Sequence, residues 1–374
     1  MTAAAIVCKN IREGHPRQHR PVSRPVNQPP VESRRVPTSK VTLRDVAALA
    51  RVHPATVSRF LNESTRHLVN AETAARVAHA VTELRYERND LARGLRTRRS
   101  QTIGVVLPDL TNPLFPPMVR GLADALNEVG YTTLLANTDG DGGRARRAFE
   151  TLRARQVDGF VLATAALEDD LVDAIEQTEL PLVLINRTVS RPGICAVVPD
   201  DRAGIRAAVE HLVALGHRRI VHLAGPRAVS SGLLRQQEFR HAMRAAGLRA
   251  EVRGARAFTE DAGIEPAKAL LSASPRPTAI VAANDLLALA CYRVARELGL
   301  RCPDDLSIVG FNDMPFADRF DPPLTSVHVP KYAIGQRAAE LLLAVLSGEL
   351  REARTVLVAV ELVVRRSSGP APAG

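Results

Sequence analysis

Cysteine is scarce in this 374-residue chain: Cys8, Cys195, Cys291 and Cys302 are the only four, far apart and without a CxxC pair. That usage excludes a disulfide framework and a thiolate zinc site, and it points to a reducing, cytoplasmic setting. No apolar run is long enough to cross a bilayer, so no membrane partner is expected despite a hydrophobic content of 45%. The apolar stretch 3–8 is too short for a signal-peptide core and has no basic segment before it, which argues against export and against a lipoprotein cysteine at Cys8. Phosphate-cradling GxGxxG and GxxxxGK[ST] motifs are missing after any strand-like run, and so is the GxSxG nucleophile elbow. The glycine-rich stretch 140–143 reads as a loop before a helix, and His211, His217 and His222 lack metal-ligand spacing. No catalytic residue, cofactor or metal is expected.

What is present is unevenly placed. The net charge is +10, and the first 100 residues hold 19 Lys/Arg against 8 Asp/Glu while the rest hold 31 against 32. A polyanionic partner would therefore engage the first quarter of the chain. Residues 1–40, rich in Pro, Arg, Ser and Gln without apolar periodicity, read as a disordered extension; a start codon placed too far upstream accounts for them equally well.

Residues 41–62, VTLRDVAALARVHPATVSRFLN, read as two short helices joined by a tight turn. Thr42 and Asp45 form a capping-box pattern, with Val46, Ala47 and Ala50 as the inner stripe. Arg51, Val52 and His53 make the turn, and Pro54 suits the first position of the next helix, where an N–H has no intrahelical partner. Val57, Phe60 and Leu61 then face inward, leaving Ala55, Thr56 and Arg59 on the opposite face at helical spacing. This is a helix-turn-helix whose second helix fits a DNA major groove. A third helix over 71–84, capped by Asn70 and buried through Ala74, Val77, Ala78, Val81 and Leu84, completes a headpiece over 41–86. Within 87–101, Asn89 caps one or two turns pairing Leu91 and Leu95 with Arg93 and Arg96. So short a helix, with Gly94 in it, is conditional on other contacts. An apolar side chain flanked by arginines suits a minor-groove wedge, and an ordinary basic linker is the other reading.

From Thr102 onward short apolar strands alternate with amphipathic helices. Strands are expected at 103–107, 133–136, 160–163, 182–185, 220–224, 278–282 and 307–310, and helices at 118–128, 144–155, 171–177, 202–215, 236–246, 285–298 and 332–346. That rhythm implies parallel doubly wound sheets, divided between two lobes because about ten strands exceed one ordinary sheet. Ligands bind beyond the carboxyl ends of such strands. The rule selects Asn137-Thr138, Thr164, Asn186-Arg187, Ser230-Ser231, Asn284-Asp285 and Asn312-Asp313, groups able to read sugar hydroxyls. Any one of them, Asn284 most plainly, could simply cap the helix that follows.

The chain resembles bacterial transcription regulators of the lactose/galactose repressor family, from about residue 41 to 366. The resemblance is carried by VTLRDVAALA…TVSRFLN, NDLARGLRTRRSQTIGVVLPDLTNPLF, GYTTLLANTD, QVDGFVL, HLVALGHRRI, AANDLLALA and PDDLSIVGFNDMPFADRFDPPLTSV. It implies an all-α helix-turn-helix headpiece and an α/β two-lobed core of the periplasmic-binding-protein type over 102–366, with a disordered tail at 367–374. It further implies a homodimer on a palindromic, double-stranded DNA operator. The expected DNA-facing set is Thr42, Pro54, Ala55, Thr56, Ser58, Arg59 and Asn62, with Arg93, the intercalating Leu95 and Arg96 in the hinge. The expected effector set is Leu114, Phe115, Asn137, Asn186, Ser231, Arg235, Phe258, Asn284 and Asn312, holding a sugar or sugar derivative.

Four positions depart from the family pattern: Arg88 stands where a proline often precedes the hinge, His53 replaces a serine cap, Asn312 an aspartate and Glu238 a glycine. With Arg187 and Arg235 nearby, the lost acid suggests an acidic sugar. No leucine heptad follows Arg366, which favours dimers over tetramers. The competing readings are a transport-type sugar-binding protein, which leaves the headpiece unexplained, and an α/β enzyme acting on a sugar phosphate, which lacks its motifs.

Overall fold

The computed structural model describes residues 41–86 and 99–372. The expected extension 1–40 and most of the expected hinge, including Asn89, Arg93, Leu95 and Arg96, lie outside the described residues. The chain divides between residues 88 and 89 into two units, a headpiece and a sensor. Among the described residues no helix is long and apolar enough to cross a membrane.

The headpiece is helical throughout: α1 (Leu43–Ala50), α2 (Pro54–Leu61), a single turn α3 (Glu63–Arg66) that the sequence pattern does not announce, and α4 (Ala71–Glu83). Thr42 and Asp45 cap α1 reciprocally, the Thr42 N–H donating to Asp45 Oδ2 at 2.7 Å and the Asp45 N–H to Thr42 Oγ1 at 3.4 Å. Arg51 turns the chain in the left-handed region, with φ of 54°. His53, although a departure from a serine cap, caps α2 itself: its Nδ1 accepts from the Ala55 N–H at 3.2 Å. Asn70 Oδ1 accepts from the Thr73 N–H at 2.8 Å to start α4. Val46, Ala47, Ala50, Val57, Phe60, Val77 and Ala80 form the core, with Leu43, Val52, Leu61 and Leu84 packed at its margin. Ala47 and Ala50 keep the helices close, and each buried Val or Phe contributes about 1.5–3 kcal/mol.

The sensor holds two six-stranded sheets with equivalent winding. The first, in the order β11-β5-β4-β3-β1-β2, comprises β1 (Thr102–Leu107), β2 (Thr132–Asn137), β3 (Gly159–Leu162), β4 (Leu182–Ile185), β5 (Cys195–Pro199) and β11 (Thr355–Val358). The second, in the order β12-β10-β9-β8-β6-β7, comprises β6 (Ile220–Ala224), β7 (Glu251–Gly254), β8 (Ala279–Ala282), β9 (Ser307–Asn312), β10 (Thr325–His328) and β12 (Glu361–Val363). All pairings are parallel except that of β10 with β12. Every residue of β3, β4 and β8 is buried, as expected where helices cover both faces. Those helices are α5 (Phe115–Glu128), α6 (Gly142–Ala154) and α7 (Asp170–Glu176) in the first part of the sensor. They are followed by α8 (Asp201–Ala214), α9 (Ser230–Ala245), α10 (Glu260–Leu271), α11 (Asp285–Glu297) and α12 (Lys331–Ser347).

The chain passes between the lobes three times, after β5, β10 and β11. At the second passage the buried Lys331 Nζ donates to the carbonyls of Asn312 (2.7 Å), Asp313 (2.9 Å) and Val329 (3.2 Å), fastening the start of α12 to the end of β9. The tail beyond Arg366, expected to be disordered, is instead fastened to the second lobe as far as it is described. Ser367 is fully buried, its Oγ donating to the Ile308 carbonyl at 2.6 Å and accepting from the Thr325 N–H at 2.8 Å. Ala371 N–H reaches the Leu215 carbonyl at 2.9 Å. Small polar residues that read as disordered by composition here continue the hydrogen bonding of strands β9 and β10.

Asp285, at the start of α11, is buried with Oδ1 accepting from Ser326 Oγ (2.6 Å) and Oδ2 from the Met314 N–H (2.7 Å). Burial pushes its carboxyl up to about 7, against the downward pull of those two hydrogen bonds. In the unfolded chain the same group loses its proton near 3.9, so between these values the folded state binds the extra proton. Its contribution to stability therefore falls as pH rises through that window and is flat above it. Asp285→Asn is expected to remove this slope, changing the difference from wild type by up to about 4 kcal/mol between pH 4 and 8. Guanidinium titrations at several pH values check this, and parallel curves for the two proteins would refute it.

Candidate functional site

On α2 the structure separates an inner from an outer face. Val57 and Phe60 are buried; Ala55 and Arg59, one helical turn apart, are exposed, and Pro54, Thr56, Ser58 and Asn62 are half-buried between them. The Arg59 guanidinium has no ion-pair partner among the described residues, whereas Arg66 is engaged over the Phe60 ring at 4.5 Å. Thr42 sits at the exposed start of α1 with its hydroxyl donating to Asp45 Oδ2 at 2.7 Å. The hydrogen bond from Thr42 holds the Asp45 carboxyl below its ordinary range. The outer face is thus small at Ala55 and cationic at Arg59, a shape that admits close approach to a groove.

In the sensor, eight of the nine expected effector residues line one cavity: Leu114, Phe115, Asn186, Ser231, Arg235, Phe258, Asn284 and Asn312. Asn112 and Arg187 complete it, and the space between these side chains, with the solvent at its open mouth, is about 280 Å³. Leu114 and Phe115 open α5 as an apolar wall. Phe258 precedes α10 and its ring lies against Gly225, where a Cβ would overlap it. Asn186 ends β4 with φ of 65° and Asn312 ends β9 with φ of 106°. Asparagine tolerates such backbone better than most residues, and the bend presents both amides to the cavity. Asn284 does two things: Oδ1 caps α11 by accepting from the Leu287 N–H at 2.9 Å, and Nδ2 donates to the Phe258 carbonyl at 3.3 Å.

Asn137 is the exception. It is exposed, accepting from the Leu110 N–H at 2.9 Å and donating to Asp139 at 2.5 Å. It ends β2, the edge strand of its sheet, and does not line this cavity. Arg235 also differs from expectation. It is not a free cation but is buried against Asp201, with Nε and Nη2 each 2.8 Å from Oδ1, and stacks on Phe311 at 3.7 Å. Burial pushes the Asp201 carboxyl above its ordinary value, and Arg235 pulls it back. Glu238 lies outside the cavity lining; its buried carboxylate pairs with Arg206 at 3.0 Å and Arg202 at 3.6 Å. Asp313 is held by Arg365 at 2.7 Å and His328 at 3.0 Å. Sequence reasoning passed over Asp201 because strand β5, just before it, was not recognised.

Three buried polar atoms of the cavity residues have no hydrogen-bond partner: Asn186 Oδ1, Arg187 Nε and Asn312 Oδ1. Orphaned buried groups are uncommon, and three converging on one space mark it as built for a polar ligand. A larger cavity of about 290 Å³ runs along β5 and β11 behind the loop after Arg187, but it is lined mainly by apolar side chains and contains no such orphan. Burial and the neighbouring Arg235 lower Arg187 to about 10, so it remains a cation near neutrality. Elsewhere His222 is fully buried, its Nδ1 2.7 Å from the Val281 carbonyl, and burial brings it down to about 4. Among the described residues no group of three His, Cys, Asp or Glu side chains could hold a metal ion.

A helix-turn-helix unit followed by a two-lobed, parallel-sheet sensor with a polar cavity defines a two-part class of protein. Residues 42–89 match the family described as bacterial regulatory proteins, lacI family, and residues 209–368 match a periplasmic binding protein-like domain. The chain is 33% identical over 327 residues to the ribose operon repressor of Halalkalibacterium halodurans, covering 87% of this chain and 97% of that protein. It is 35% identical over 346 residues to the HTH-type transcriptional regulator CelR of Thermobifida fusca, covering 90% and 100%. Among solved structures, the Lac repressor dimer bound to operator and the anti-inducer ONPF is similar with a TM-score of 0.80 at 28% identity, covering 88% of this chain and all of that one. The chain belongs to the lacI family of bacterial regulatory proteins.

Proposed function

We propose that this protein is a sequence-specific, DNA-binding transcriptional repressor, acting as a homodimer on a palindromic operator and controlled by a sugar or sugar derivative held between the sensor lobes. One juxtaposition carries the reading: the same chain bears a capped helix with an exposed Arg59, without an ion pair among the described residues, on its outer face, and a cavity with three orphaned polar atoms. Relatives named for the ribose operon and a structural neighbour bound to operator support it. Arg59 on guanine is the expected base contact, and Ala55 offers a methyl to thymine. The expected hinge, with Leu95 as wedge, joins reading head to sensor.

Control follows from population shift. A ligand that binds one relation of the lobes more tightly draws the sensor toward it, and it can change DNA affinity only by that difference. The test is selection of bound sequences from a random duplex pool by the full-length protein. Enrichment of an inverted repeat, with yield altered by at least one sugar of a panel, is the expected result. Recovery of unrelated sequences under every condition would reject the proposal.

A further inference from the structure

We infer that the effector is a sugar acid whose carboxylate is held by Arg187. This rests on the proposed reading of the cavity as a sugar site and specifies the ligand's charge. The argument is a charge balance. Among the described residues Arg187 has no ion-pair partner, its Nε is buried without a hydrogen bond, and the Phe258 ring centre lies 5.9 Å from the guanidinium carbon. Each acid nearby is already committed: Asp201 is bonded to Arg235 at 2.8 Å and attracts Arg187 only from a distance, so that one carboxylate faces two guanidinium groups; Asp313 is held by Arg365 at 2.7 Å and His328 at 3.0 Å, and Asp285 by Ser326 and the Met314 N–H. Asn312 and Asn186 contribute amides, not charge, and Lys331 beneath Asn312 adds a second cation bonded to carbonyls alone.

A half-buried guanidinium with a buried, unbonded Nε and no ion pair is unfavourable in the empty protein, and an anion that reaches it gains a charge-assisted, bidentate contact. One uncompensated arginine matches one carboxylate. The remaining orphans, Asn186 Oδ1 and Asn312 Oδ1, accept from ring hydroxyls, and Phe258 with Phe115 and Leu114 provides apolar faces for the ring.

The test is calorimetry on the full-length protein with matched probes: glucose, glucuronate and glucose 6-phosphate, and galactose, galacturonate and galactose 6-phosphate. At least one uronate is expected to bind ten-fold or more tighter than its neutral parent, with that preference lost in Arg187→Gln. Equal or tighter binding of the neutral sugar would overturn the inference while leaving the cavity a sugar site. Tightest binding of a phosphate would overturn the carboxylate assignment. Binding of none of the six would overturn the sugar-site reading and the inference with it. A second measurement needs no ligand. Arg187→Met should raise the melting temperature of the ligand-free protein, because it removes a half-buried charge that has no ion-pair partner among the described residues. A clear fall would show that Arg187 is structurally balanced and would overturn the inference independently.

Discussion

Gly335→Ala should destabilise the sensor by about 3 kcal/mol or more, the upper part of the range for overpacked cores. Helices α5 and α12 cross where Gly121 meets Tyr332 and Gly335 meets Met118. A Cβ on Gly335 would overlap the Met118 carbonyl oxygen and fall 2.7 Å from the Leu122 nitrogen. These are backbone atoms, so no rotamer change relieves the overlap; the helices must part. Parting them loosens Met118, Leu122, Ile334, Ala338 and Leu342, all fully buried in one cluster. The substitution also gains about 1 kcal/mol of helix propensity, which the separation must outweigh. Gly254→Ala is the control: a Cβ there meets nothing within 4 Å, and its backbone lies outside the left-handed region. It should stay within about 1 kcal/mol of wild type. Denaturant midpoints at unchanged slope decide it. Equal midpoints for the two variants would show that the helix crossing can yield.

Arg59→Ala should weaken binding to the selected operator by about 1–3 kcal/mol per half-site, while binding to scrambled duplex at the same salt loses only one phosphate-scale contact. The headpiece should remain folded, because Arg59 is exposed and lies outside the core of Val46, Val57, Phe60 and Val77. Fluorescence anisotropy on both duplexes, with circular dichroism as the folding check, measures the two effects separately. Equal losses on operator and scrambled duplex would assign Arg59 to the phosphate backbone and leave base reading to other residues.

Much of this architecture was legible because local and global signals agree. Thr42 with Asp45, Pro54 after His53, and Asn70 each mark a helix start through a specific hydrogen bond or a missing donor, and all three occur. The fully apolar strands β3, β4 and β8 were legible for the opposite reason, burial on both faces. Edge elements were not: β11 alternates between exposed and half-buried residues, and β12 has only three residues. Helix α10 carries Pro266 in its interior, which reads as a break, and α9 starts on Ser230-Ser231-Gly232, which reads as a loop. In the cavity, strand-end polarity located Asn186, Asn284 and Asn312. Pairing was invisible, since only three dimensions show that Arg235 is bonded to Asp201 and that Arg187 makes no ion pair among the described residues. Asn137 lies outside the cavity lining, and a linear pattern does not reveal that it ends an edge strand.

The central claim is that cavity occupancy and DNA grip are coupled, and coupling between two binding sites is reciprocal. The most direct measurement is the four-sided cycle: operator affinity with and without saturating ligand, and ligand affinity with and without saturating operator. The account predicts that each ligand changes the other's dissociation constant by the same factor, on the order of 5–150-fold. Four constants showing that operator and sugar bind with no mutual effect would contradict it.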